Sequence, residues 1–189
     1  MNLPNKLTII RVILIPFFLV FMLVEKIPMN YFLALAIFII ASVTDALDGK
    51  IARKHNLVTN FGKFLDPLAD KALVMSAIVV FIELGWIGSI PVIIILGREF
   101  MVTSLRLVAN KSGGKVIAAG FSGKLKTAFT MIAIIAILIM QGIENNADYS
   151  LSFDIDLIGN ILIWIATALT VYSGCEYLWN YRDCIDPSK

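Results

Sequence analysis

Four aspartates occur at helix-compatible intervals within residues 44–71 (TDALDGKIARKHNLVTNFGKFLDPLADK), and we call them the aspartate motif. Asp45 and Asp48 are three residues apart, and Asp66 and Asp70 are four apart. Residues at these intervals share one face of a helix, so each pair can project to one side. Converging carboxylates repel one another, and a divalent cation relieves that repulsion. Oxygen ligands without cysteine or clustered histidine suit Mg²⁺, Mn²⁺ or Ca²⁺ rather than Zn²⁺.

The elements that must position these carboxylates are membrane helices. The chain has 189 residues, of which 59% are hydrophobic and 16% charged, and its mean hydropathy is +0.86. Because soluble domains have roughly 25% charged residues, this composition excludes an ordinary soluble globule, a disordered chain and a fibrous repeat. We expect an all-α integral membrane protein, with one domain over residues 1–189. A membrane crossing needs about 20 apolar residues. Six segments qualify, at 7–24, 31–53, 66–84, 90–109, 125–142 and 157–179.

The distribution of basic residues predicts the orientation of these six transmembrane helices. When the segments alternate across the bilayer, every lysine and arginine except Lys26 falls on the side of the N-terminus, and Arg11 is counted there. The connection 143–156 contains acidic residues and no basic ones. The positive-inside rule therefore places both termini and the connections 50–65 and 110–124 in the cytoplasm.

The surroundings of the aspartate motif favour a reaction at the cytoplasmic surface. A connection of about a dozen residues predicts that the second and third helices are antiparallel neighbours, which brings the four acids to one depth. The small residues Gly49, Ala52 and Gly62 leave room for a ligand or a partner helix, and Arg53 can meet a phosphate bidentately. Two other interpretations stay open. The acids are either interfacial charges paired with nearby cations, or part of a small divalent-cation transporter.

A second set of charged residues lies farther along the chain, on the same predicted side. Arg98 and Arg106 are eight residues apart, about two helical turns, so they can share a face. Lys124 and Lys126 open the next segment. A cationic pocket of this kind suits an acceptor that carries its own phosphate. The competing interpretations are ordinary positive-inside charge for the lysines and an internal ion pair between Arg98 and Glu99.

The complete spacing, Asp45-x2-Asp48-Gly49-x2-Ala52-Arg53-x8-Gly62-x3-Asp66-x3-Asp70, resembles the signature of the CDP-alcohol phosphatidyltransferase family at every position. The resemblance implies two divalent cations, Mg²⁺ or Mn²⁺, held by Asp45, Asp48 and Asp66. It implies that Asp70 is the catalytic base and also touches a metal. The positions implied to contact the cytidine nucleotide, or to leave room beside it, are Gly49, Ala52, Arg53 and Gly62.

Three further segments resemble the branch of this family that uses glycerol 3-phosphate. They are residues 2–16 (NLPNKLTIIRVILIP), 97–100 (GREF) and 123–127 (GKLKT). The resemblance implies transfer of a phosphatidyl group from CDP-diacylglycerol to glycerol 3-phosphate, with release of CMP. The alternatives are the same chemistry with inositol phosphate or serine as acceptor, or divalent-cation transport. The predicted acceptor-phosphate residues are Arg98, Arg106, Lys124 and Lys126. We also expect a homodimer in contact with membrane lipid, without nucleic acid. A short chain without a recognisable transit peptide favours a bacterial plasma membrane.

Overall fold

The computed structural model describes the backbone of residues 3–54, 60–111, 120–146 and 154–182. Within these ranges it describes all side chains except those of residues 3–5, 45–54, 60–67, 70 and 107–111. The ranges contain six α-helices and no strand, which confirms the all-α prediction. The helices are α1 (Leu3–Leu23), α2 (Asn30–Lys54), α3 (Asn60–Glu83), α4 (Ser89–Lys111), α5 (Phe121–Asn146) and α6 (Ile155–Tyr181).

The length and apolar composition of the helices identify a membrane protein. Among the described residues, three segments are long and apolar enough to cross a bilayer: Lys6–Leu23 of α1, and the whole of α5 and α6. Within the described part of α2, Asn30–Thr44 is a shorter apolar segment. Six crossings with both termini on the cytoplasmic side therefore remain a prediction.

The chain folds into two compact units, each built from two separate stretches of sequence. The first unit comprises Met1–Leu84 and Ile134–Ile155, and the second comprises Gly85–Ala133 and Asp156–Lys189. The first unit therefore contains the aspartate motif, and the second contains all four predicted acceptor-phosphate residues. The expectation of one domain over residues 1–189 stays a prediction.

In the first unit, α1 packs against both α2 and α3, and α2 also contacts α3. The buried face of α1 includes Phe18 and Met22, and the Phe18 ring lies 6.1 Å from that of Phe38 on α2. Small side chains let the helix backbones approach closely. Four alanines on α2 and α3 serve this purpose and are completely buried: Ala34, Ala41, Ala69 and Ala77.

The end of α5 packs against the start of α2 within the same unit. A Cβ atom on Gly142 would lie 3.1 Å from two atoms of the Phe32 ring, so the glycine allows this close approach. Nearby, the side-chain amide of Asn145 donates a hydrogen bond of 3.2 Å to Oδ1 of the buried Asn30.

In the second unit, Asn160 on α6 holds the turn that precedes α4. Its Oδ1 accepts a hydrogen bond of 2.8 Å from the Gly88 N–H, and its Nδ2 donates one of 3.2 Å to the Trp86 carbonyl. The turn contains Gly85, whose φ of 77° lies in the left-handed region that glycine adopts without strain. Farther along α6, the Thr167 hydroxyl lies 3.5 Å from the Pro91 carbonyl of α4. These contacts fix which face of α4 meets α6.

Candidate functional site

All four residues of the aspartate motif lie on helices. Asp45 and Asp48 belong to the C-terminal part of α2, and Asp66 and Asp70 belong to the N-terminal part of α3. Helical backbone at both places confirms that spacings of three and four put each pair on one helix face. Their side chains lie outside the described residues, so their roles as metal ligands and base stay predictions.

The connection between the two aspartate pairs is shorter than the sequence suggested. We expected about a dozen residues, with α3 beginning near residue 66, but α3 begins at Asn60 and only 55–59 separate it from α2. An extended chain spans at most about 3.6 Å per residue, so the end of α2 and the start of α3 lie within about 20 Å. The convergence of the two pairs at one depth stays a prediction.

The four predicted nucleotide-site residues also fall on these helices. Gly49, Ala52 and Arg53 lie on α2, and Gly62 lies on α3. Their side-chain surroundings, like those of the aspartates, lie outside the described residues.

Arg11 is a charged residue of the first unit that the sequence analysis did not assign to the site. We counted it as a cytoplasmic-side charge, but its side chain is completely buried on α1. It shares its helix face with Thr8 and Phe18, and this helix packs against both helices that carry the aspartates. Ionisable side chains inside a membrane protein are costly and usually functional. The signal in the sequence was an arginine inside an otherwise apolar segment.

The second unit brings two of the predicted cations together through a carboxylate. Glu99 Oε1 accepts a hydrogen bond of 3.1 Å from Nη1 of Arg98, and it also pairs with Nζ of Lys126 on α5. The exposed fractions of the three side chains are only 10% for Arg98, 15% for Glu99 and 12% for Lys126. We call this group the Arg98–Glu99–Lys126 cluster. Two cations and one carboxylate leave it with one net positive charge.

Arg98 is held from a third side by α6. Its Nη2 donates a hydrogen bond of 2.7 Å to the hydroxyl of Ser173, which is 3% exposed. The Nε atom is buried and has no hydrogen-bond partner among the described residues. A guanidinium has five N–H donors in a planar fork that matches phosphate. Arg98 therefore keeps donors for an anionic ligand after making both contacts.

The other two predicted acceptor-phosphate residues are not part of this cluster. Arg106 shares the α6-facing side of α4 with Arg98, as its spacing predicted, but it contacts Tyr177. Its Nε lies 3.4 Å from the Tyr177 hydroxyl, and its guanidinium lies 5.8 Å from the centre of that ring. The Lys124 side chain is exposed. The structure thus gives the four cations different surroundings, which sequence spacing could not distinguish.

Sequence reasoning also missed Glu176, which lines a groove of the second unit. The Glu176 carboxylate accepts a hydrogen bond from the Ser122 hydroxyl. The groove has a volume of about 350 Å³ and is otherwise mainly apolar. It is lined by Phe121, Ser122, Leu125, Leu169, Tyr172 and Glu176. Glu176 and Ser122 are 54 positions apart, so no local pattern signals their contact.

Comparison with known proteins identifies the family of the chain. The sequence profile of the CDP-alcohol phosphatidyltransferase family matches residues 1–172. The chain belongs to this family. The matched segment contains the whole aspartate motif and all three residues of the Arg98–Glu99–Lys126 cluster. It ends one residue before Ser173.

Curated relatives of this CDP-alcohol phosphatidyltransferase align over nearly their full lengths. A Bacillus subtilis protein is 44% identical over 188 residues, which cover 93% of each chain. A Rickettsia bellii protein is 40% identical over 178 residues, again with 93% of each chain covered. A Haemophilus influenzae protein is 40% identical over 183 residues, covering 94% of this chain and 91% of its own. All three are named CDP-diacylglycerol–glycerol-3-phosphate 3-phosphatidyltransferase.

Proposed function

We propose that this enzyme transfers the phosphatidyl group of CDP-diacylglycerol to sn-glycerol 3-phosphate and releases CMP. The observation that carries the choice of acceptor is the Arg98–Glu99–Lys126 cluster. It is mostly buried, has one net positive charge and retains an Arg98 donor without a partner among the described residues. A phosphate monoester matches such a cluster in charge and hydrogen bonding, whereas a neutral alcohol such as inositol does not need it. The names of the three relatives support the same acceptor.

The donor set of the aspartate motif suits divalent metal ions, which this family generally uses. Asp45, Asp48 and Asp66 would hold two cations, Mg²⁺ or Mn²⁺, with Asp70 in contact with one of them. Carboxylate oxygens are the ligands that such hard cations prefer. When bound, the metals would neutralise the pyrophosphate of CDP-diacylglycerol and stabilise the CMP leaving group.

The protein's own groups then have distinct roles in the reaction. Asp70 accepts the proton of the glycerol 3-phosphate 1-hydroxyl as its oxygen attacks the lipid-side phosphorus. A bond forms between that oxygen and the phosphorus, and the bond from phosphorus to the CMP oxygen breaks. Arg53 would contact the cytidine nucleotide, with Gly49, Ala52 and Gly62 leaving room for it. Arg98 and Lys126 bind the acceptor phosphate, assisted by the longer-range charges of Arg106 and Lys124.

The proposal places the reaction at the cytoplasmic face of a bacterial plasma membrane. The concentration of basic residues on one predicted side supports this orientation. Six crossings and a homodimer complete the proposal, and both rest on the family resemblance and the sequence pattern.

The proposal is tested by CMP release from the detergent-purified chain with CDP-diacylglycerol and Mg²⁺. Glycerol 3-phosphate, inositol phosphate, inositol and serine are compared in parallel, with and without EDTA. We expect release with glycerol 3-phosphate alone, its loss in EDTA and its return with excess Mg²⁺ or Mn²⁺. Release with inositol or serine would retain the aspartate chemistry and contradict the role of the cationic cluster. Release with inositol phosphate would retain both and change only the acceptor. The absence of release with every acceptor, in protein that binds metal, would favour a cation transporter.

A further inference from the structure

We propose that Ser173 and Gly174 of α6 are positioning residues that fix Arg98 for the acceptor phosphate. This inference rests on the proposed function, because it assumes that Arg98 binds that phosphate. Both residues lie beyond the segment that the family profile matches. The inference follows from the way in which α6 surrounds the arginine.

Ser173 makes the polar contact between α6 and Arg98. Its hydroxyl, nearly inaccessible to solvent, accepts the hydrogen bond of 2.7 Å from Arg98 Nη2. Glu99 holds Nη1. The two ends of the guanidinium fork are therefore fixed by different helices, and the plane of the fork is set. A free arginine samples many rotamers, so fixing it in advance reduces the entropy lost when a ligand binds.

Gly174 provides the space that the Arg98 side chain occupies against α6. A Cβ atom at this position would lie 3.0 Å from Cγ of Arg98 and 3.7 Å from its Nε. The absence of a side chain at Gly174 lets the arginine stem lie against the α6 backbone. A methyl group there would push the stem away, and the guanidinium would move with it.

The same face of α6 continues toward the second arginine of α4. Tyr177 lies one turn beyond Ser173 and is 7% exposed. Its ring stacks on Tyr181 at 4.4 Å, and its hydroxyl faces Nε of Arg106 at 3.4 Å. This support of Arg106 agrees with a face of α6 that receives the basic side chains of α4.

The test separates the KM for glycerol 3-phosphate from kcat and from the KM for CDP-diacylglycerol. Ser173→Ala should raise the KM for glycerol 3-phosphate about tenfold, because the charged Nη2 group loses its fixed partner. Its kcat and its KM for CDP-diacylglycerol should stay within about twofold of the wild type. Gly174→Ala should have the same signature, and Ser173→Thr, which keeps the hydroxyl, should restore the wild-type KM.

The matched control is Thr170→Ala. Thr170 is completely buried and lies one turn before Ser173 on α6, but its hydroxyl bonds to the Ala166 carbonyl of its own helix. This variant should keep the wild-type KM for glycerol 3-phosphate. If Ser173→Ala and Thr170→Ala impaired kcat and both KM values alike, Ser173 would be a packing residue and the proposal would fail.

Arg98→Ala distinguishes failure of this inference from failure of the proposed function. We expect it to raise the KM for glycerol 3-phosphate more than Ser173→Ala does, and adding Ser173→Ala should then have no further effect. A raised KM in Arg98→Ala, with an unchanged KM in Ser173→Ala, would refute positioning and leave the acceptor site standing. An unchanged KM in Arg98→Ala would refute the acceptor role and this inference with it.

A binding measurement keeps the inference testable if a variant is inactive. Saturating glycerol 3-phosphate should raise the thermal unfolding temperature of the wild type and of Thr170→Ala. It should raise that of Ser173→Ala less at the same concentration. Equal shifts of the unfolding temperature in all three proteins would contradict the proposed positioning of Arg98 by Ser173.

Discussion

Glu99 on α4 and Lys126 on α5 form an ion pair in which both side chains are shielded from solvent, with exposed fractions of 15% and 12%. The same carboxylate oxygen also accepts the hydrogen bond from Arg98. One acid therefore keeps two cations together in the second unit.

Replacing Glu99 by Gln should destabilise the protein. The change leaves two shielded cations without their shared counter-charge, and removing one partner of a buried pair typically costs about 3–5 kcal/mol. Thermal unfolding of the detergent-purified protein, followed by tryptophan fluorescence, measures the loss. Glu83→Gln, at an exposed acid, is the control and should change little. Adding Lys126→Met to Glu99→Gln should recover part of the stability, and strict additivity of the two changes would argue against coupling.

Replacing Asp70 by Asn should nearly abolish turnover and preserve the binding of CDP-diacylglycerol. The amide cannot accept the proton of the attacking hydroxyl, and loss of a general base typically lowers kcat by about 10²- to 10⁴-fold. CMP release and equilibrium binding of the CDP-lipid are measured on the same preparation. Turnover at the wild-type rate would exclude Asp70 as the base.

Replacing Arg11 by Leu should lower both stability and activity, because its charge is completely buried in the unit that carries the four aspartates. If those carboxylates depend on a nearby cation, its removal leaves uncompensated negative charge. Arg11→Lys should retain part of both properties. Lys6→Leu, at an exposed basic residue of the same helix, is the matched control. Unfolding temperatures and CMP release are compared across the set, and a fully stable and active Arg11→Leu would show that the guanidinium is dispensable.

Two glycine replacements should differ in their effects on stability. Gly142→Ala places a methyl group 3.1 Å from the Phe32 ring, so α5 and α2 must separate or the ring must move. Overpacking of this kind typically costs about 1–3 kcal/mol. Gly97→Ala meets no described atom within 4 Å and should be neutral or stabilise α4 by up to about 1 kcal/mol. The unfolding temperatures of the two variants are compared with that of the wild type. A similar decrease in both variants would contradict the close packing at Gly142.

The predicted orientation can be tested by labelling single cysteines in a cysteine-free background. In intact cells, a membrane-impermeant maleimide should label Glu25→Cys, Ser89→Cys and Asn146→Cys. It should label Lys6→Cys and Arg182→Cys only after the membrane is opened, since six crossings place both ends of the chain inside. Labelling of Lys6→Cys in intact cells would reverse the orientation, and protection of Ser89→Cys would contradict the six-crossing topology.

The sequence alone was sufficient for the class of protein and for the placement of the aspartate motif on helices. Membrane helices are recognisable because each is a long apolar segment that satisfies its own backbone hydrogen bonds. The aspartate pairs are recognisable because spacings of three and four have a fixed meaning on a helix. Both signals are local, and the structure confirms the helices that carry them. The largest boundary difference was the start of α3, where six residues assigned to the connection proved to be helical, and α5 extends four residues beyond the predicted segment at each end.

The sequence suggested the ion pair between the adjacent Arg98 and Glu99, which the structure contains, but only the tertiary structure decided which distant residues meet. Arg98 reaches Ser173 across 75 positions, and Lys126 reaches Glu99 across 27, so neither contact follows from any local pattern. Arg11 stands inside an apolar segment of the sequence, but only the packing of α1 shows that its side chain is completely buried. Periodicity specifies which residues share a face of a helix. Helix packing determines which face meets a partner, and that packing gave Arg98, Arg106, Lys124 and Lys126 their different surroundings.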